Sequence, residues 1–181
     1  MKKIIGSLTL IAASLASNMA AADSYWGVGL SNYDLNINVL SNDLTFNTKA
    51  IEGVFGIEVN DYVSWEARAG FGLSDDQATL EYGYYSTGIT SKTNSYFSGY
   101  FKPHAGNKNI QAYGLLGYSS ISHTVEILGS EEDTADDGVS YGLGAEIFIS
   151  GNNTLNFEWK QLAKIDGGEI TGVTFAIHHR F

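Results

Sequence analysis

The sequence contains no cysteine, which excludes a disulfide framework and any thiolate metal site. It has a single proline, Pro103, and only 17% of its residues are charged. Bases are scarce: 10 Lys and Arg stand against 20 Asp and Glu, for a formal charge of −10. So few cations leave no basic face for phosphates, and nucleic acid is excluded as the main partner. No long apolar run follows the amino terminus, so the remaining chain offers no transmembrane helix. What is abundant is glycine (21 residues) and aromatics (3 Trp, 11 Tyr, 9 Phe). Such a composition suits neither a helical bundle, a coiled coil nor a disordered tail. At 181 residues the chain has room for about one domain.

Residues 1–22 read as a secretory signal peptide. Lys2 and Lys3 give a positive start, Ile4 to Ala16 is an apolar stretch too short to span a bilayer, and Ala20-Ala21-Ala22 supplies small residues for cleavage before Asp23. The mature domain is then 23–181, with a formal charge of −12.

Across that domain the apolar period is two, not 3.6. Trp26, Val28 and Leu30 alternate with Gly27, Gly29 and Ser31. Val63, Trp65, Ala67, Ala69, Phe71 and Leu73 alternate with Ser64, Glu66, Arg68, Gly70 and Gly72. Similar alternation covers 51–59, 97–102, 139–149, 155–160 and 172–181. The stretch 110–121 is mixed, with Tyr113, Leu115 and Ile121 on one face and Leu116 and Tyr118 on the other. The pattern predicts eight strands of about ten residues. Short turns fall at 60–62, 104–109 and 150–153, with His104 in the second. Longer connections span 36–47, 74–91 and 122–138, and 166–168 is a short final one.

Alternation alone does not separate a soluble sandwich from a membrane barrel. The charges help. Glu52, Glu58, Glu66, Arg68, Lys102, Glu146, Glu158, Lys160 and Arg180 all lie opposite the apolar face of their strands, whereas Lys49 and Glu169 break the rule at strand ends. The polar face is glycine-rich, as a narrow barrel interior allows. Trp26, Tyr62, Trp65, Tyr113, Tyr141 and Trp159, with Tyr25 and Tyr96, recur near strand ends as interfacial girdles do. Short and long connections alternate. These features predict an all-β, eight-stranded antiparallel up-and-down transmembrane barrel with an interior charge network. Closure satisfies every backbone group in hydrocarbon.

Ser24-Tyr25-Trp26-Gly27-Val28-Gly29 after the leader, and the terminal Ala176-Ile177-His178-His179-Arg180-Phe181, resemble the small outer-membrane barrels of OmpX type and the transmembrane domain of OmpA. The resemblance implies an integral protein of the bacterial outer membrane, both termini in the periplasm. It also implies that Phe175, Ile177 and Phe181 form the signal read by the barrel-assembly machinery; His179 departs from the usual apolar residue at its position.

The expected role is structural and surface-interacting: a plugged, monomeric barrel that displays loops and contacts outer-membrane lipid and lipopolysaccharide. A narrow, low-conductance channel is the alternative, and a lipid A-modifying enzyme a second. Lipid A deacylases carry a His-x-Ser pair on one strand. Here Ser120-Ile121-Ser122-His123 runs in reverse, and no serine follows at that spacing after His104 or His178, so no enzyme is expected. No catalytic, cofactor or metal residues are assigned. His178 and His179 point to opposite faces and cannot share a metal. Tyr82, Tyr84, Tyr85, Glu131, Glu132 and Asp133, in two outer connections, are candidates for loop recognition. The acidic spacing does not match a calcium-binding loop.

Overall fold

Side chains that alternate in polarity along an extended ribbon can satisfy two media at once, one on each face. The computed structural model describes residues 23–39, 42–82, 85–127, 130–165 and 168–181, with side chains described except at 37–44, 75–89, 91, 125–133 and 165–167. The signal-peptide residues and Tyr84 therefore lie outside what is described, and of the other loop-recognition candidates, Tyr82, Tyr85, Glu131, Glu132 and Asp133, only the backbone is described, in strands. The strands are β1 (Ser24–Val39), β2 (Asn42–Asn60), β3 (Val63–Gly72), β4 (Asp75–Tyr82), β5 (Tyr85–Gly106), β6 (Ile110–Ile127), β7 (Ser130–Ser150), β8 (Asn153–Ile165) and β9 (Gly168–Arg180).

All pairings are antiparallel. β1 closes on β9 from Tyr25↔Arg180 to Ile37↔Gly168. β3 and β4 both lie along β5, through Phe71↔Ser95 and Asp75↔Lys92, so the segments form a closed eight-ribbon barrel. The break between them falls at a tight spot. A Cβ on Gly72 would sit 1.8 Å from the Thr93 carbonyl oxygen, and β5 shifts register on β6 between Thr93 and Ser95.

Side-chain caps shape the turns beside the termini. Asn60 Oδ1 accepts the Tyr62 amide at 2.9 Å, and Asn107 Oδ1 accepts those of Asn109 and Ile110. Gly151 adopts φ +51°, which favours glycine. β5 runs through His104, which faces the interior and is not in a turn; the turn begins at Asn107.

The large apolar side chains point outward. Phe71 is 60% exposed and Leu143 67%, whereas Arg68 is 2% exposed inside the barrel. Away from the termini the outward face turns polar within a narrow ring. Leu30 gives way to Asn32, Ile51 to Lys49, Phe97 to Ser95, Tyr118 to Ser120, Val139 to Asp137 and Val173 to Thr171. Beyond the ring the inward face turns apolar: Tyr33, Leu35, Phe46, Tyr96, Ile121, Leu162 and Ile170 form a buried cluster. The alternation thus inverts its phase where the medium changes.

This inversion corrects the strand lengths. Most of 36–47, 74–91 and 122–138 is strand, not loop, and the hairpins end in the pairs Val39↔Asn42, Tyr82↔Tyr85 and Ile127↔Ser130. Windows recognised by outward apolar residues stop at the membrane boundary; the strands continue on the opposite phase. β5 has 22 residues, whereas a crossing needs about 9–11.

Leu143→Arg, in the middle of the outward band of β7, is predicted to destabilise the barrel by about 2–4 kcal/mol, and Ser120→Arg, above the ring, by about 0–1. Equilibrium unfolding in lipid vesicles measures both.

Candidate functional site: the filled interior

Among the described side chains, alternate residues of the strands project into a space too narrow for a wide aqueous channel. The nine charged residues predicted for the interior all line it. Arg68 of β3 is the hub. Its Nη1 donates to Glu158 Oε1 at 2.5 Å and Glu52 Oε1 at 3.1 Å, and its Nε donates to Glu66 Oε2 at 2.8 Å. Lys102 of β5 lies 2.8 Å from Glu66 and 3.7 Å from Glu146. Lys160 of β8 lies 2.6 Å from Glu52 and 3.0 Å from Glu158. Arg180, toward the terminal end, bridges Glu58 and Glu146. Every acid has a base and every base at least two acids. That matters because one unpaired buried charge costs several kcal/mol.

Tyrosines complete the network. Tyr25 donates to Glu66 at 2.5 Å, Tyr96 to Glu52 at 2.6 Å and Tyr113 to Glu158 at 3.0 Å. Their rings also carry the cations: Lys102 Nζ lies 4.2 Å from the Tyr113 centroid, and the Arg68 guanidinium 5.1 Å from that of Tyr100. Of the aromatics assigned to girdles, Trp26, Tyr62, Trp65, Tyr141 and Trp159 point outward. Tyr113, Tyr25 and Tyr96 do not; they are buried inside, where Tyr25 shares the parity of Gly27 and Gly29, Tyr96 that of Lys102, and Tyr113 that of Gly117 and Ser119 on its own strand. That parity was the available signal.

The inward glycines make room for these rings. Tyr25 pairs across strands with Gly56, Tyr96 with Gly70, Tyr113 with Gly144 and Tyr100 with Gly117. A Cβ on Gly56 would sit 2.1 Å from the Tyr25 ring, and one on Gly70 2.2 Å from the Tyr96 ring. Beyond the ion pairs a hydroxyl chain runs from Ser98 through Ser119 and Tyr100 to Ser140, which donates to the Gln161 carbonyl.

Among the described residues, no three His, Asp or Glu side chains are grouped to hold a metal. One Ser–His contact was not visible in the sequence: Ser64 Oγ and His104 Nε2, 3.2 Å apart on β3 and β5. His104 Nδ1 is buried without a partner, so no carboxylate orients the ring as a catalytic base requires. His178 is buried and stacks on Tyr25, while His179 turns outward beside Trp26 and Phe181. Phe175, Ile177 and Phe181 are exposed on the outer face of the closing strand and its end.

The family profile described as "Outer membrane protein beta-barrel domain" matches residues 6–181. The chain belongs to this family. Among solved structures, Ail of Yersinia pestis in complex with the heparin analogue sucrose octasulfate is similar at 17% identity and TM-score 0.62, covering 88% of this chain and 99% of that one. Neisserial surface protein A is similar at 10% identity and TM-score 0.63, covering 87% and 97%. OprG of Pseudomonas aeruginosa is similar at 11% identity and TM-score 0.57, covering 89% and 96%. At such identities the likeness is one of fold. No curated protein matches. Membership in the family places the chain in the bacterial outer membrane.

In this outer-membrane barrel Arg68→Met is predicted to destabilise by about 3–5 kcal/mol, because three glutamates lose their shared cation. Arg68→Met with Glu158→Gln recovers part of that loss. Gly56→Ala, which drives a methyl group into the Tyr25 ring, is predicted to cost about 1–3 kcal/mol. Urea titrations of the lipid-reconstituted protein measure all three.

Proposed function

We propose that this outer-membrane barrel is a closed, non-catalytic scaffold that carries an interaction surface outside the cell. The observation that carries this reading is the apolar cluster of Tyr33, Phe46, Tyr96, Ile121, Leu162 and Ile170 inside the strands where their outer faces have turned polar. A dry core beneath a polar exterior is how a soluble barrel is built. Here it stiffens the part of the strands that projects into water. β5, β7 and β2, with 22, 21 and 19 residues, are the longest of these strands. The hairpin end faces outside and the termini face the periplasm, and the barrel acts as a monomer in contact with outer-membrane lipid and lipopolysaccharide. Phe175, Ile177 and Phe181 offer the outward apolar pattern that the assembly machinery reads.

The same apolar layer, stacked on the ion-pair layer, supports a plugged barrel over a conducting one. The Ser64–His104 contact lacks an orienting acid, which supports a scaffold over a lipid A-modifying enzyme. The chain's formal charge of −10 argues against a polyanionic ligand of the kind bound by the Yersinia pestis protein.

Two measurements test the proposal. Cutting the β4–β5 and β6–β7 hairpins back to the polar ring is expected to abolish binding to host cells or surface ligands while the barrel still folds. Undiminished binding by the shortened barrel would sink the surface role. In planar bilayers the intact protein is expected to give no single-channel steps; stepwise conductance would overturn the plugged interior.

A further inference from the structure

The strands above the polar ring do not all stop at the same height. On one flank β7 pairs with β6 without a break from Ser119↔Gly138 up to Ile127↔Ser130. On its other flank the ladder to β8 stops at Tyr141↔Gln161, where Ser140 Oγ also donates to the Gln161 carbonyl. β8 then shifts register on β9 between Gln161 and Ala163 and ends in the pair Ile165↔Gly168. It still runs beside Gly138, where a Cβ would come within 3.7 Å of the Lys164 carbonyl oxygen. Above that point, among the described residues, β7 from Ser130 to Asp137 has no strand paired on this side. Alternate backbone N–H and C=O groups of the stretch therefore point sideways into water. The same stretch holds the acids Glu131, Glu132, Asp133, Asp136 and Asp137, and no base.

An open strand edge is a template for one more strand. Its charge decides which strand fits. A second copy of the same edge would set carboxylate against carboxylate, and like charges across a ladder repel. A strand carrying lysines or arginines gains the ladder and the opposite charge together. We propose that the open flank of β7 between Ser130 and Asp137 takes up an extended, cationic segment of a partner protein as an added β-strand. Main-chain hydrogen bonds hold the segment in register, and the acids of β7 select its bases. The ladder to β6 fixes this edge before any partner arrives, so β7 loses little backbone freedom on binding. The site rests on the reading of the hairpin end as the surface that meets partners, and it adds the chemistry of the partner and the way it docks.

The test uses the protein in phosphatidylcholine nanodiscs and a fluorescent peptide of alternating lysine and valine. Anisotropy reads binding, and amide hydrogen exchange reads the edge. The peptide is expected to bind and to slow exchange in 130–137 more than in the β1–β2 hairpin. A lysine–proline repeat keeps the charge but lacks the N–H donors of a ladder, and it is expected to bind about tenfold more weakly or less. Glu131→Gln with Asp133→Asn is expected to weaken binding of the lysine–valine peptide about fivefold. Glu169→Gln, on β9 away from this flank, is expected to leave it unchanged. Mobility in gels before and after heating confirms that each variant folds. Absence of binding by the lysine–valine peptide, equal binding by the lysine–proline repeat, or an equal loss in Glu169→Gln would overturn the site. The peptide assay contains neither cells nor a natural ligand, so this site and the surface role fail separately.

Discussion

The structure depends on a single constraint: an ionised group enclosed by hydrocarbon must find its counter-ion inside the same wall. Arg68 meets it by reaching three glutamates on three strands, Glu66 beside it on β3, Glu52 on β2 and Glu158 on β8. These contacts tie the two sides of the barrel together across its lumen. The inward glycines follow from the same requirement. Tyrosine rings large enough to hold lysines and arginines by their faces fit only where the neighbouring strand has no side chain, as at Tyr25–Gly56 and Tyr96–Gly70. The glycine-rich polar face is therefore the complement of its aromatic residues.

A second consequence concerns height. The ion-pair layer belongs to the part of the barrel wrapped in acyl chains, where the outer face is apolar and the lumen can be polar. Past the ring of Asn32, Lys49, Ser95, Ser120, Asp137 and Thr171 water takes over outside, and a polar lumen would no longer hold the sheets together. The chain answers with Tyr33, Leu35, Phe46 and Ile170 pointing in. One barrel thus has two interiors of opposite character, each fitted to what surrounds it. The projecting wall is stiff because its own hydrophobic core stiffens it, and a stiff polar wall suits recognition better than a mobile loop.

Much of this was legible in the sequence. The strand class and the inward placement of Glu52, Glu66, Arg68, Lys102 and Lys160 follow from parity along single strands, which is local, and the closure from the need to satisfy every backbone group in hydrocarbon. Strand length was not legible from windows anchored on Trp26–Leu30 or Val139–Ile149. The outward apolar signal ends at the bilayer, and Tyr33-x-Leu35 continues the strand on the other parity. Tyr113 was assigned to the girdle by its aromatic character and its place in the strand, whereas its partner Glu158 lies 45 positions away. Such pairings are set by barrel register, a long-range property. The Ser64–His104 contact and the open flank of β7 needed three dimensions for the same reason.

The central claim is that acyl chains cover the apolar outer face. All 3 tryptophans, Trp26, Trp65 and Trp159, lie on that face, so their fluorescence in vesicles made with phospholipids brominated along the acyl chain tests it directly. The account predicts strong quenching, greatest for bromines placed near the headgroup ends of the chains, where girdle tryptophans sit. Emission unaffected by brominated chains at every depth would contradict it and place these residues against protein instead of lipid.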